Sequence, residues 1–79
     1  MSDIVNEPPH YTQYEIEPIE FIMRNNLTFE IGNVVKYALR AGSKDYPNMT
    51  PEMSAITDLK KAIRYADMKI NLILGQDKL

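Results

Sequence analysis

The sequence has 79 residues, no cysteine and a formal charge of −2, which indicates one small domain without disulfide bonds or zinc–thiolate sites. A core of this size contributes only about 3–5 kcal/mol, and a single histidine argues against a structural metal, so we expect self-association. No stretch reaches the roughly 20 apolar residues that span a membrane, and the first seven residues lack signal-peptide features, so we expect a cytoplasmic protein with no membrane partner.

The charge is distributed unevenly along the chain. Residues 1–31 carry six acids and one base, whereas residues 32–64 carry six bases and three acids. A basic patch within an acidic protein suits a small anionic ligand better than a long nucleic acid, because nucleic-acid binders present a broad basic surface. We therefore do not expect a nucleic-acid partner.

Residues 1–16 show no helical period and contain two consecutive prolines, which favour an extended backbone. The sequence predicts an ordered arm that lies on the helices and is anchored by His10 and Tyr11. A tail without fixed structure is the alternative. Neither alternative is excluded by the residues themselves.

Two short helices are predicted next. The first begins with Pro18 at its first helical position and ends near residues 25–26. Thr28 is suited to cap the second, which covers roughly residues 28–41 and ends at Gly42. The following connector, residues 43–49, is rich in turn formers, and the sequence leaves open whether it is a lid or a plain loop.

The third helix is the longest, residues 51–74, and Gly75 ends it. Its apolar residues follow the 3-4-3-4-3 spacing of a coiled-coil seam; they are Ile56, Leu59, Ile63, Ala66, Ile70 and Ile73. Because the apolar stripe is wider than one short helix covers, we expect the last turns to meet another subunit. The predicted fold is a single all-α domain, residues 1–79, whose last two helices form an antiparallel hairpin.

The second helix also has a polar face. Residues at three- and four-residue steps on that face are Asn33, Lys36, Tyr37, Arg40 and Lys44. The face includes three cations and no acid, which is typical either of a solvated helix end or of an anion-binding surface. In the predicted hairpin it lies beside Asp58, Lys61 and Tyr65, which share one face of the third helix.

Cations grouped with two tyrosines and one acid suit a nucleotide. Arginine binds phosphate with two hydrogen bonds, lysine acts as a point charge, and tyrosine stacks on a base. Asp58 is suited to a phosphate-bridging Mg²⁺ or to a sugar hydroxyl, although an exposed ion pair with Lys61 is the alternative. The sequence lacks a P-loop, a paired-carboxylate metal motif and a catalytic triad.

The sequence also resembles a known family, in short blocks spread over about residues 5–70. The blocks are Pro9-His10-Tyr11, Gly32-Asn33-Val34-Val35-Lys36-Tyr37, Arg40-Ala41-Gly42-Ser43-Lys44, Asp58-Leu59-Lys60-Lys61-Ala62 and Tyr65. They are similar to a small phage-encoded domain family of unknown function, with SaV-like members, that is shared with the T7-type phage nucleotide kinase. The resemblance implies a P-loop-less deoxynucleoside monophosphate kinase that uses Mg²⁺ with its nucleotide in the cytoplasm of an infected bacterium.

The resemblance marks ten candidate site positions. They are His10, Tyr11, Asn33, Lys36, Tyr37, Arg40, Lys44, Asp58, Lys61 and Tyr65. Lys36, Arg40 and Asp58 are the candidate catalytic residues, with Asp58 also the candidate magnesium ligand, and the other seven are expected to bind the nucleotide. Because the chain is little longer than the shared domain, catalysis would need a site shared between subunits of a homo-oligomer.

A non-enzymatic phage effector that binds a host protein is the alternative function. An acidic arm and a tyrosine-rich surface suit such a contact. In that case Arg40 and Asp58 are expected to pair between helices as a structural contact.

Overall fold

The computed structural model describes residues 14–75, and this part of the chain contains three α-helices and no strand. α1 spans Pro18–Arg24, α2 spans Phe29–Arg40 and α3 spans Pro51–Ile73. The predicted all-α class is confirmed, with helix bounds close to those expected. Most of the predicted arm, including His10 and Tyr11, lies outside the described residues. No helix within residues 14–75 is both long and apolar enough to cross a membrane.

Local sequence explains where the two longer helices begin and end. The side chains of Thr28 and Thr50 cap α2 and α3, each accepting a hydrogen bond from the backbone N–H three residues on. The chain leaves these helices through Gly42 and Gly75, whose φ angles are +90° and +76°. Residues with a Cβ atom are strained in this left-handed region, so glycine is the suitable residue at both ends.

α2 packs against α3 at both of its ends. Arg40, at the end of α2, contacts Asp58 in the first half of α3. Glu30, at the start of α2, lies 3.6 Å from Lys69 in the second half of α3. A hydrogen bond with Thr28 lowers the pKa of Glu30, and the positive charge of Lys69 lowers it further. Electrostatic contacts thus join the two helices at both ends of α2.

α1 approaches α2 at a glycine. A Cβ atom added to Gly32 would lie 2.9 Å from Cγ2 of Ile22, closer than side chains normally come. The hydroxyl of Tyr14, just before α1, donates a hydrogen bond of 2.7 Å to the carbonyl oxygen of Leu39. The absence of a side chain at Gly32 therefore allows α1 to lie close to α2. The hydrogen bond of Tyr14 links the segment before α1 to α2.

Gly32→Ala is expected to destabilise the protein by up to about 2 kcal/mol. Replacing glycine inside a helix gains roughly 1 kcal/mol, but overpacking against Ile22 costs about 1–3 kcal/mol. Urea denaturation measures the difference. In an Ile22→Ala background, which removes the clashing methyl group, the same change should no longer destabilise. A net gain of stability in the wild-type background would show that α1 does not press on this position.

Few apolar side chains are buried within residues 14–75. Apart from Pro18, Ala62 is the one apolar side chain that is buried there, whereas Arg40, Ser54 and Asp58 are all buried. The large aliphatic side chains of α3 are mostly exposed to solvent. The helices of a single chain are therefore joined by a polar cluster and half-buried contacts, and one apolar flank of α3 stays open.

Candidate functional site

A buried ion pair joins α2 to α3. Nη2 of Arg40 lies 3.2 Å from Oδ1 of Asp58, and these side chains are 9% and 0% exposed. Burial lowers the pKa of Arg40, but the hydrogen bond and the charge of Asp58 raise this pKa above its ordinary value, so the guanidinium stays charged. Removing two charges from water costs free energy. The attraction between the charges offsets this cost only when further hydrogen bonds are made to the two side chains.

Tyr46, on the connector between α2 and α3, supplies those bonds. Its hydroxyl donates to Oδ1 of Asp58 at 2.5 Å and accepts from Arg40 at 2.6 Å and from Nζ of Lys61 at 2.9 Å. Its backbone N–H donates to Oγ of Ser54 at 2.8 Å. The connector is therefore fixed to the first turn of α3, and one phenol bridges three charged side chains.

Neither Tyr46 nor Ser54 was among the residues that the sequence marked. Ser54 lies four residues before Asp58, so the two share a helix face, and that pair of small polar residues was the available signal. Tyr46 lies outside any helix, where no periodicity predicts its direction. The sequence leaves open whether the connector is a lid or a plain loop. In the structure the central residue of the connector, Tyr46, packs into the site.

Three lysines surround the rings of Tyr37 and Tyr46. Nζ of Lys36 lies 5.1 Å from the centre of the Tyr37 ring, and Nζ of Lys44 lies 5.4 Å from that of Tyr46. Nζ of Lys61 lies 5.2 Å from the first ring and 4.7 Å from the second. Cations at these distances from a ring are attracted by its electrons. The hydrogen bond to Tyr46 raises the pKa of Lys61.

We name these residues the tyrosine–lysine cluster. Its members are Lys36, Tyr37, Arg40, Lys44, Tyr46, Asp58 and Lys61. The cluster holds four cations and one carboxylate, and the guanidinium of Arg40 also lies 4.7 Å from the Tyr37 ring. It is therefore a strongly positive patch within a chain whose formal charge is −2.

Two further candidate residues border the cluster. The ring of Tyr65 stacks on that of Tyr37, with centres 5.9 Å apart and planes 6° from parallel. Nδ2 of Asn33 donates to the carbonyl oxygen of Phe29 within α2. Asn33 also lines, with Lys36, a mainly apolar pocket of 210 Å³ between α1 and α2. The structure thus brings Tyr65 onto the cluster and places Asn33 at a neighbouring pocket.

The carboxylate of Asp58 is already engaged. Oδ1 binds Arg40 and Tyr46, while Oδ2 is buried without a hydrogen-bond partner among the described residues. The described part of the chain contains no group of three or more acidic, histidine or cysteine side chains suited to a metal ion. Direct coordination of Mg²⁺ by Asp58 would therefore have to use its buried Oδ2, beside the positive charge of Arg40.

Comparison with known proteins matches most of the chain to a family model. A family model described as a protein of unknown function, DUF3310, matches residues 5–67. Searches of curated proteins and of solved structures gave no match. The matched range includes every residue of the tyrosine–lysine cluster.

Proposed function

Since the chain belongs to the DUF3310 family, whose function is unknown, we propose a function from the site itself: the tyrosine–lysine cluster binds the phosphate groups of a nucleotide. The observation that carries this proposal is the excess of positive charge around two tyrosine rings. The one carboxylate of the cluster is paired with Arg40. No carboxylate among residues 14–75 forms an ion pair with Lys36, Lys44 or Lys61, so their charges are available to an anion.

Each group has a distinct role in this proposal. The three lysines act as point charges toward the phosphates. The stacked rings of Tyr37 and Tyr65 offer an aromatic surface for the base. Arg40 and Asp58 are positioning residues, because they hold Tyr46, and through it Lys61, in place. Mg²⁺ accompanies the phosphates of the nucleotide rather than binding a separate protein site.

The proposal extends to catalysis and assembly. The resemblance to the T7-type phage nucleotide kinase suggests phosphoryl transfer to deoxynucleoside monophosphates inside an infected bacterium. Such transfer needs a donor, an acceptor and a metal ion held together away from water. In this proposal α2 and α3 form an antiparallel hairpin, which the contacts Arg40–Asp58 and Glu30–Lys69 support, and a second subunit completes the half-exposed site.

A second candidate is a non-enzymatic effector that binds a host protein. The observation in its favour is the buried pair of Arg40 and Asp58, since this alternative gives the two residues a structural role. The exposed apolar side chains of α1, among them Ile19, Phe21 and Met23, offer a surface for a protein contact.

A thermal-shift screen against nucleoside mono-, di- and triphosphates, with and without Mg²⁺, tests the proposal. A nucleotide at 100 times its Kd should stabilise the protein by about 2.7 kcal/mol. Lys36→Ala should weaken binding of that nucleotide about tenfold or more, since a charge-assisted contact is lost. Arg64→Ala, an exposed position outside the cluster, is the matched control and should bind as the wild type does.

Two results would contradict nucleotide binding at this site. One is that no nucleotide in the panel raises the melting temperature, which would favour the effector function. The other is an equal Kd for the wild type and the Lys36→Ala variant, which would place any binding elsewhere on the chain.

A further inference from the structure

The exposed apolar flank of α3 has the geometry of a coiled-coil seam. Its residues alternate at steps of three and four, so they occupy heptad positions a (Ile56, Ile63, Ile70) and d (Leu59, Ala66, Ile73). Five of the six are large aliphatic residues that are exposed in the single chain; Ile63, at the centre, is 60% exposed. The seam runs for about 27 Å along α3.

We propose that this seam binds the same seam of a second copy of the chain, as an antiparallel two-helix coiled coil with two-fold symmetry. The first argument is burial. Apart from Pro18, Ala62 is the one apolar side chain buried within residues 14–75, so a single chain leaves most of its aliphatic surface in water. A second copy would remove that surface from water, which is the main favourable term in association. This proposal does not depend on nucleotide binding.

The second argument is the fit of the seam to itself. In antiparallel coiled coils a residue at position a faces one at position d of the other helix. In one register the facing pairs are Ile56 with Ile73, Leu59 with Ile70 and Ile63 with Ala66, and each pair occurs twice. Every seam residue therefore has an apolar partner, and the small Ala66 gives room to Ile63 near the two-fold axis.

The third argument concerns heptad position e, which lies beside the seam. The residues at position e are exposed. In the same antiparallel register Lys60 faces Asp67 of the second copy, and Met53 faces Leu74. Neither Lys60 nor Asp67 has an ion-pair partner within residues 14–75. The register thus matches lysine with aspartate and an apolar residue with an apolar residue, twice over.

A parallel arrangement does not give this match. In parallel pairs position e faces position g of the other helix, and the g residues of α3 are Ala55, Ala62 and Lys69. Asp67 would then face Ala62, and Lys69, which already contacts Glu30, would face Leu74. The charges beside the seam therefore favour the antiparallel direction.

The first test is the mass in solution, measured by sedimentation equilibrium. The wild type should have twice the chain mass of 9.1 kDa. Ile63→Glu should raise the Kd of the dimer by on the order of 100-fold or more, because two unpaired carboxylates would enter the seam. Arg64→Glu, at an exposed position next to the seam, is the control and should remain a dimer. Circular dichroism checks that the helices persist in each variant.

The second test exchanges the charges at position e and does not alter the seam. Lys60→Asp and Asp67→Lys should each raise the Kd of the dimer about tenfold, since like charges would face each other twice. The double variant should return to nearly the wild-type Kd. A parallel dimer would show no such rescue.

The third test measures direction. The chain has no cysteine, so a spin label on Leu74→Cys is unique. In the antiparallel dimer the two labels should lie about 30 Å apart along the helix axis, whereas a parallel dimer brings them to within roughly 15 Å. A label on Arg64→Cys, near the two-fold axis, should give a short distance in either case. A monomer at all concentrations, the absence of charge rescue, or a short distance at position 74 would overturn the proposal.

Discussion

Asp58→Ala will destabilise the native protein by about 3–5 kcal/mol, because it leaves the guanidinium of Arg40 buried without a counter-charge. A small domain draws only about 3–5 kcal/mol from its core, so we expect this variant to be largely unfolded. The structure gives the reason: Arg40 is 9% exposed and Asp58 is its closest acidic contact. Far-UV circular dichroism and urea denaturation measure the loss.

The control for this prediction removes both charges together. Arg40→Met combined with Asp58→Leu should recover most of the lost stability, since no unpaired charge remains buried. Asp45→Ala changes an exposed acid on the connector and should have little effect. An Asp58→Ala variant as stable as the wild type would mean that Arg40 reaches solvent when its partner is lost.

Tyr46→Phe will cost about 1.5–3 kcal/mol, because the hydroxyl that it removes is bonded to charged groups on both helices. Urea denaturation at neutral pH measures this loss. Tyr65→Phe is the matched control, since the ring of Tyr65 stacks on Tyr37 and keeps that contact without its hydroxyl. Equal stabilities of the two variants would show that the phenol of Tyr46 contributes little.

The loss of stability caused by Tyr46→Phe should depend on pH. The hydrogen bond to Tyr46 raises the pKa of Lys61 above the ordinary value of 10.5. A group whose pKa is raised by folding stabilises the folded state fully at a pH below its pKa in the unfolded chain. This stabilisation is lost as the pH rises through its pKa in the folded state. The difference in stability between the wild type and Tyr46→Phe should therefore be full at neutral pH and shrink in strongly alkaline solution.

The helices could be predicted from the sequence because their signals are local. Thr28, Thr50 and Pro51 mark starts, and Gly42 and Gly75 mark ends, each through the conformation of its own residue. Helical spacing likewise put Arg40 and Asp58 on faces that the structure brings within 3.2 Å of each other. Sequence spacing does not reveal burial, so it leaves open whether the two residues contact a ligand or pair between the helices; in the structure they are paired and buried.

Other parts of the site depend on contacts between distant residues. Tyr46 reaches Asp58 because Ser54 binds the backbone of the connector, and no periodic pattern encodes that bond. Gly32 belongs to one of the sequence blocks, but its close approach to Ile22 arises only when α1 lies on α2. The apolar stripe of α3 was evident from its spacing, and its pairing with a second copy stays a prediction.

Binding of a nucleotide to the tyrosine–lysine cluster is tested most directly by NMR. Backbone amide signals of the ¹⁵N-labelled protein should be followed while a deoxynucleoside monophosphate, with Mg²⁺, is added. The proposal predicts shifts that are concentrated at residues 36–46 and 58–65 and saturate with the nucleotide. Lys36→Ala should need about tenfold or more nucleotide to reach the same saturation. No shift at saturating nucleotide, or shifts confined to the pocket between α1 and α2, would contradict it.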